Sequence, residues 1–249
     1  MKKIIVNADD YGLTYSACEG IVKAYNDGIV KSTTFMINLP DADKKFAITK
    51  DCTGLDIGVH LNVTYGKPVS DPSEVSSLLD ENGSFFRKPS IVAEKAKPEE
   101  VEKEWEAQIL KAKLLGVKIS HIDSHHHTHA RPEFLDIYIK LAKKYNLPAR
   151  SNNPEMAEAF KKEGIKTPDY FIEEFYADRV NPDNFMGIVN NMDSGVTEIC
   201  AHPGFVDEDL RGISSYTDYR MSELKVYTDP EIINFIKQNN IDVIGFSQL

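Results

Sequence analysis

Short apolar runs rich in β-branched residues alternate with segments of helical periodicity along most of the chain. The runs predict strands at 4–8, 33–38, 55–63, 119–124, 148–151, 197–201 and 242–246. The periodic segments predict helices at 15–26, 98–115, 132–145, 154–163, 182–191 and 230–238, several of which begin with proline in the first turn. Such an alternation predicts an α/β fold in which a parallel sheet is connected by right-handed helical crossovers.

The positions of polar residues favour a barrel over an open sheet. Side chains capable of chemistry lie at the carboxyl ends of at least four predicted strands, as they do in barrel active sites. In an open sheet they would gather at the one point where the strand order reverses. A distorted (β/α) barrel of about seven strands is therefore predicted. The segment 64–97 breaks the alternation and is predicted to be a long loop excursion. No linker or repeat interrupts the rest, so residues 1–249 are predicted to form a single catalytic barrel domain.

Composition and charge limit the classes of partner that this protein is expected to bind. The 249 residues are 41% hydrophobic and 27% charged, which is typical of a globular protein. A net charge of −10 argues against a nucleic-acid partner, because a phosphate backbone would be repelled. No apolar run reaches the roughly 18 residues of a membrane span, and three scattered cysteines suit a reducing compartment. A cytoplasmic location without a membrane partner is expected, and a homodimer is compatible with the sequence.

Strand alternation places His60 on the polar side of its strand. Leu55, Ile57, Val59 and Leu61 share one face of the predicted strand, and His60 lies on the other. If the apolar face packs against the outer helices, the imidazole of His60 points into the barrel near its mouth.

Five of the seven histidines fall within residues 121–129, which predicts a metal-binding or catalytic role for at least one of them. His125 stands where its strand should end and is the predicted ligand. His127 and His129 would lie higher in the loop, where they contact either substrate or loop backbone. His121 is predicted to be a satisfied core histidine, and His126 to face the packing side.

Two adjacent carboxylates, Asp9 and Asp10, end the first predicted strand. Alternation places them on opposite faces, although a bend permitted by Gly12 would let both serve one site. Capping of the following helix is the alternative for either one alone. One carboxylate together with His60 and His125 would form an open site for one divalent metal ion, with zinc and magnesium the first candidates.

Two further strand ends carry candidate groups. His202 follows the strand at 197–201 and is a candidate general acid near a metal, or else a histidine that only caps the strand. Arg150 could orient a carboxylate through a bidentate pair or bind a substrate oxygen, and an ordinary salt bridge is equally compatible.

In combination, several segments resemble the YdjC-like carbohydrate deacetylases, a group that includes chitooligosaccharide deacetylases. The matching segments run in order through the chain: NADDYG at 7–12, SACEGIV at 16–22, STTFMINLP at 32–40, GVHLN at 58–62, HIDSHHHTH at 121–129, AHPGF at 201–205 and YRMSEL at 219–224, before a helix start at 228–230. Each segment alone would be a weak signal.

The resemblance implies a barrel related to that of the polysaccharide deacetylases and an enzyme that hydrolyses the N-acetyl group of amino sugars. The implied substrates are N-acetylglucosamine oligosaccharides, including phosphorylated ones. The implied roles are listed residue by residue: Asp9 is the catalytic base, Asp10, His60 and His125 are metal ligands, His202 is the catalytic acid, and Arg150, by a looser match, orients the base.

Two other functions are compatible with the same residues. A metal-dependent isomerase or aldolase acting on sugar phosphates would need a glycine-rich phosphate loop late in the barrel, and residues 201–205 make a poor one. A non-catalytic sugar or metal sensor would bind without turnover. Asp9 and His202 argue against a sensor, since a pure binding site needs neither a base nor an acid.

Overall fold

Seven parallel strands form one sheet in the computed structural model, which describes residues 1–249. The strands are β1 (Lys2–Tyr11), β2 (Ser32–Phe35), β3 (Asp56–Leu61), β4 (Ile119–Ser124), β5 (Tyr170–Ile172), β6 (Gly195–Ala201) and β7 (Asp242–Val243). Their order across the sheet is β4-β3-β2-β1-β6-β5, and β7 pairs with the first half of β1. The sheet curls into a half-barrel, which confirms the predicted fold class.

Ten α-helices connect the strands. They are α1 (Tyr15–Asp27), α2 (Ala42–Ala47), α3 (Pro89–Lys95), α4 (Pro98–Leu114), α5 (Pro132–Tyr145), α6 (Pro154–Lys162), α7 (Pro182–Asn191), α8 (Glu208–Ile213), α9 (Asp218–Tyr227) and α10 (Pro230–Gln238). The predicted bounds of α5, α7 and α10 are confirmed at both ends. Proline in the first turn marks where each of the three begins. None of the helices has both the length and the apolar character that crossing a membrane requires.

The prediction of a strand at 148–151 is wrong. Only Ala149 forms a bridge to β4, in which Ile122 donates its N–H to the Pro148 carbonyl and accepts the N–H of Arg150. The ladder goes no further toward the start of β4, because Pro148 has no N–H to donate. The fifth strand is instead β5, at the opposite edge of the sheet beside β6, and its three residues were missed because so short a segment has no alternation to read. Helix α9 was also missed, since its charged and apolar residues do not segregate to opposite faces.

The two faces of β1 pack against different layers. Ile4, Val6 and Ala8 belong to the main core, which joins the sheet to the surrounding helices. Ile5 faces the interior, where it packs with Phe246 from the C-terminal segment. This segment fills part of the interior near the amino ends of the strands, whereas at the opposite end the strands terminate in polar residues.

The excursion predicted at 64–97 is an ordered structure rather than a free loop. It contains two 3₁₀ turns (Pro72–Glu74 and Ser76–Leu78) and helix α3. Phe85 anchors it in the main core, and the buried carboxylate of Glu104 accepts backbone N–H groups from Val69 and Ser70. The excursion therefore forms a fixed wall beside the carboxyl ends of the strands.

Candidate active site

An irregularity in β1 brings Asp9 and Asp10 to one cavity. In the pairing of β1 with β2, the residues from Ala8 to Tyr11 lie opposite one residue fewer in β2, as in a β-bulge. Asp10 takes a left-handed backbone conformation with φ of 66°. The two carboxylates, which simple alternation would send to opposite faces, both line a cavity of about 830 Å³ at the carboxyl ends of the strands.

Asp10, His60 and His125 form a cluster with the composition of a metal site. Oδ1 of Asp10 lies 3.4 Å from Nε2 of His60 and 3.1 Å from Nδ1 of His125. This oxygen is buried and makes no hydrogen bond of good geometry. The three ligand atoms lie within 4.8 Å of one another. A carboxylate oxygen left without a hydrogen bond between two imidazole nitrogens fits a divalent cation with open coordination positions.

The second nitrogen of His60 is held by a carboxylate. Its Nδ1 lies 2.7 Å from Oδ1 of Asp123, which fixes the ring so that Nε2 faces Asp10. Metal-bound histidines commonly donate their other ring N–H in this way. Burial lowers the pKa of His60, but Asp123, Asp10 and Asp9 outweigh burial and raise the pKa to about 10. Without a metal, this imidazole therefore carries the positive charge that a cation would replace.

Arg220 holds the other oxygen of Asp10 and was missed at the sequence level. Its Nη2 donates to Oδ2 of Asp10 at 2.6 Å, and its Nε donates to the carbonyl of Tyr216 at 2.9 Å. Burial opposes the ionisation of Asp10, yet Arg220 and His125 hold the pKa of this carboxyl well below its usual range. The only signal in the sequence was the segment at 219–224, which gave Arg220 no partner.

Arg150 forms a bidentate ion pair with Asp9. Nη1 and Nη2 donate to the two carboxylate oxygens, each at 2.7 Å, and the guanidinium is completely buried. Burial opposes the ionisation of Asp9, but the charge and hydrogen bonds of Arg150 hold its pKa far below the usual range. The same guanidinium also contacts Asp123 at 3.0 Å and Glu198 at 2.7 Å, so its charge is shared among three carboxylates.

The buried carboxylates around the site outnumber the guanidinium groups that face them. Burial, assisted by neighbouring carboxylates, raises the pKa of Glu198 to about 7 and that of Glu223 to about 8. Burial disfavours the charged form of a carboxyl, so these two groups take up a proton more readily than an exposed glutamate does. The pKa of Asp10 moves the other way, so Asp10 is the ionised carboxylate available to a divalent cation.

His202 follows β6 and lines the same cavity as the aspartates. Its backbone N–H donates to Oε2 of Glu223 at 2.5 Å, and its Nδ1 lies 3.9 Å from the other oxygen of that carboxylate. Burial lowers the pKa of His202 to about 4, so its imidazole is neutral at rest. Its ring lies edge-on to the rings of Tyr176 and Tyr216.

Two other groups of potential ligands overlap this cluster and fit a cation less well. One combines Asp9 with Cys200 and His202, and the other combines Asp9 with His60 and Asp123. Both depend on Asp9, whose oxygens are already engaged by Arg150. Burial also raises the pKa of the Cys200 thiol well above its usual value, which disfavours the thiolate that binds metals.

The prediction that His126 faces the packing side is wrong. His126 and His127 both adopt positive φ, 55° and 50°, in a 3₁₀ turn (His125–Ala130), so strand alternation ends before them. The His126 ring lies 3.9 Å from that of His125 and its Nδ1 is 3.0 Å from the Thr64 hydroxyl. His126 and His127 both line the cavity, and Nε2 of His127 lies 3.4 Å from Glu173.

His129 does not line the cavity. Its side chain is completely buried, stacks on Tyr138 and has its Nδ1 2.6 Å from the hydroxyl of Ser124. The Ser124 hydroxyl also accepts the backbone N–H of His129, so this residue anchors the loop, the other role considered for it. His121 lies in the core, stacked on Phe246 at 3.7 Å.

A larger cavity, of about 960 Å³, opens at the amino ends of the strands. Its lining includes Thr53, Lys118 and Gly164, and none of the carboxylates and histidines described above. In parallel barrels the chemistry takes place at the carboxyl ends. The smaller cavity is therefore the candidate active site.

By its fold and site, this is an α/β half-barrel protein that carries two carboxylates and several imidazoles at its strand ends. Comparison with known sequences identifies the family. Residues 3–238 match the model of the family described as YdjC-like protein. The chain belongs to that family. A relative from Thermoanaerobacter pseudethanolicus, named carbohydrate deacetylase, is 42% identical over 100% of both chains. Another of the same name from Brevibacillus brevis is 39% identical over 99% of both.

Solved structures share the fold to different degrees. A protein of Enterococcus faecalis described as a cellobiose-phosphate cleavage protein superimposes with a TM-score of 0.92 at 34% identity, covering 99% of this chain and 98% of that one. The lactam utilization protein of Thermus thermophilus has a TM-score of 0.55 at 16% identity, covering 98% and 99%. At 16% identity, the similarity to the lactam utilization protein shows only that the fold is shared.

Proposed function

We propose that this protein is a metal-dependent carbohydrate deacetylase that removes the N-acetyl group from N-acetylglucosamine or short chitooligosaccharides, phosphorylated forms included. The observation that carries the proposal is the placement of Asp9 and Asp10 in one cavity, each held by its own arginine. The name carbohydrate deacetylase, borne by relatives of full length, supports the same reaction.

Asp10, His60 and His125 are the residues that would hold the cation, with zinc and magnesium the first to test. A bound divalent cation supplies Lewis-acid chemistry, because it lowers the pKa of a water molecule to roughly 7 and polarises the acetyl carbonyl. Asp123 keeps His60 in the orientation that this role requires.

Asp9 acts as the base that takes a proton from the attacking water. Arg150 keeps its carboxylate ionised and fixes both oxygens in direction, so Asp9 is available in the correct form at neutral pH. The ion pair also makes Asp9 a weak base. A weak base suffices only if the water is already acidified, which is why the base and the metal ligands must lie in the same cavity.

His202 supplies the proton that the amine nitrogen needs when the carbon–nitrogen bond breaks. Because its imidazole is neutral at rest, it must gain that proton during the reaction. Asp9 has just taken a proton from water, and the nearest ligand atoms of the two residues lie within 4.8 Å. Water thus adds to the carbonyl, its proton reaches the nitrogen, and the products are acetate and a free amino sugar.

The cavity fits a short sugar. Its volume of about 830 Å³ lies in the range of small-molecule sites, roughly 300–1,000 Å³. The exposed guanidinium groups of Arg87 and Arg179 lie on its lining and suit a phosphate on the substrate.

Acetate release tests the proposal directly. The purified protein should release acetate from N-acetylglucosamine, N,N′-diacetylchitobiose or their 6-phosphates, and a chelator should abolish the release until a divalent metal is restored. In Asp9→Asn, turnover should fall by about two to four orders of magnitude while stoichiometric metal is retained by elemental analysis. No acetate from any of these sugars in the metal-loaded protein would refute the function. Full activity in metal-loaded Asp9→Asn would remove Asp9 from the role of base.

A further inference from the structure

One wall of the active-site cavity is built from stacked tyrosine rings. Tyr176 lies on Tyr216 with ring centroids 4.1 Å apart and an angle of 10° between the planes. Tyr219 stacks on Tyr216 at 5.5 Å and 23°, and it lies outside the cavity lining. Tyr176 is 45% exposed and lines the cavity, so this side chain presents an uncovered aromatic surface to whatever binds there.

The wall is held rigidly. The hydroxyl of Tyr216 donates to Oε1 of Glu223 at 2.6 Å and accepts the backbone N–H of Ala177 at 3.2 Å. Ala177, next to Tyr176 in the chain, adopts φ of 53°, a conformation that a residue with a Cβ takes only when its surroundings impose it. The orientation of the Tyr176 ring is therefore set before a ligand arrives, so binding would cost little ordering of this side chain.

The wall stands beside the proposed proton donor. The ring centroids of Tyr176 and His202 are 5.9 Å apart, and the planes meet at 76°. A nitrogen protonated by His202 lies within hydrogen-bond reach of that imidazole, so the sugar ring that carries the nitrogen comes next to Tyr176. A pyranose ring of gluco configuration exposes C–H groups on its faces, and the electron-rich face of an aromatic ring attracts such groups.

We infer that Tyr176 is a stacking platform for the pyranose ring whose acetamido group is hydrolysed. The inference rests on the proposed function and names the part of the substrate that the cavity wall recognises. The metal-ligand cluster and Asp9 act on the amide, whereas Tyr176 binds the pyranose ring of the substrate. The platform selects amides attached to a sugar ring over acyclic amides.

The test compares three variants of the full-length, metal-loaded protein. Tyr176→Ala removes the ring, Tyr176→Phe keeps it, and Tyr170→Ala removes a tyrosine of similar exposure on β5, away from the cavity. Each is combined with Asp9→Asn so that binding of N,N′-diacetylchitobiose can be measured by calorimetry without turnover. Tyr176→Ala should weaken binding about threefold to tenfold, the range of a single aromatic stacking contact. The other two variants should bind within about twofold of the parent.

Acetate release is then measured for the same tyrosine variants with Asp9 left unchanged. This measurement distinguishes failure of the stacking platform from failure of the proposed function. If the protein with Tyr176 intact deacetylates chitobiose and Tyr176→Ala, folded by its melting temperature, binds and turns it over equally well, the platform is refuted and the proposed function stands. Equal losses in Tyr176→Ala and Tyr176→Phe would show that the hydroxyl rather than the ring is recognised, which also refutes it. Absence of acetate release from every sugar in the parent protein overturns the proposed function and the inference together.

Discussion

Adjacent aspartates of identical chemistry differ because each has its own arginine. Arg150 holds both oxygens of Asp9, whereas Arg220 holds only Oδ2 of Asp10 and leaves Oδ1 toward His60 and His125. A carboxylate with both oxygens engaged is suited to positioning a water, and one with a free oxygen is suited to binding a cation. In the proposed reaction, the guanidinium partners thus divide the two tasks between the two residues.

Replacement of Arg220 tests this division. In Arg220→Met, Asp10 loses its orienting hydrogen bond, and we expect the affinity for Zn²⁺ to fall about 10-fold to 100-fold. The buried carboxylate also loses its partner, so the free energy of unfolding should drop by about 3–5 kcal/mol. Calorimetric titration and chemical denaturation measure the two effects. Arg211→Met, which removes an exposed ion pair with Asp218, is the matched control and should change neither. Unchanged metal affinity in Arg220→Met would show that Asp10 needs no such support.

At the scale of elements, the site depends on how closely helix α1 approaches the loop after β6. Gly20 on α1 faces that loop, and a Cβ built on it would lie 2.4 Å from the backbone nitrogen of Phe205 and 2.5 Å from Cα of Gly204. These are backbone atoms, which cannot rotate away as a side chain can. The approach holds the loop that begins with His202 against the end of the sheet.

Gly20→Ala should therefore destabilise the protein although alanine favours helices. We expect a loss of about 1–3 kcal/mol in the free energy of unfolding, because the overlap exceeds the gain in helix propensity. Deacetylation should also slow, since His202 moves with the loop. Gly187→Ala in α7 is the control, because nothing lies within 4 Å of its Cβ; it should be neutral or stabilise by up to about 1 kcal/mol. Equal effects of the two substitutions in denaturant titrations would contradict the packing argument.

At the scale of the whole molecule, the buried charges of the half-barrel link metal binding to pH. Carboxylates from β1, β4 and β6 meet in one interior, while their arginine partners come from a loop and from α9. In the metal-free protein His60 supplies part of the missing positive charge, since its pKa is raised to about 10. A metal ligand must be neutral, so the cation and the proton compete for this imidazole.

We expect metal binding to release protons and to strengthen as the pH rises. Because the folded pKa of His60 lies above its ordinary value of about 6.5, its protonated form stabilises the metal-free protein below that value, and this contribution is lost as pH rises toward 10. At pH 8, binding of each Zn²⁺ should release about one proton, measured by calorimetry in buffers of different ionisation enthalpy. The metal should also raise the melting temperature. Zero proton release at pH 8 would show that His60 is not a ligand. In His60→Ala, proton release and high affinity should both disappear.

The sequence by itself determined the alternation of strands and helices and the end of the sheet at which the candidate site lies. These are local properties, since proline in a first turn and the period of two along a strand depend only on neighbours in the chain. For the same reason the inward direction of His60 on β3 could be predicted.

Only the tertiary structure decided which side chains meet and where alternation fails. The left-handed turn at Asp10 is tied to the register between β1 and β2, and the positive φ of His126 ends the strand pattern just where the site begins. Arg150 and Arg220 are 141 and 210 positions from their aspartates, so no pattern within one segment could pair them. Their pairing follows from burial in a shared interior, where a carboxylate must find a cation and the fold determines which one is near.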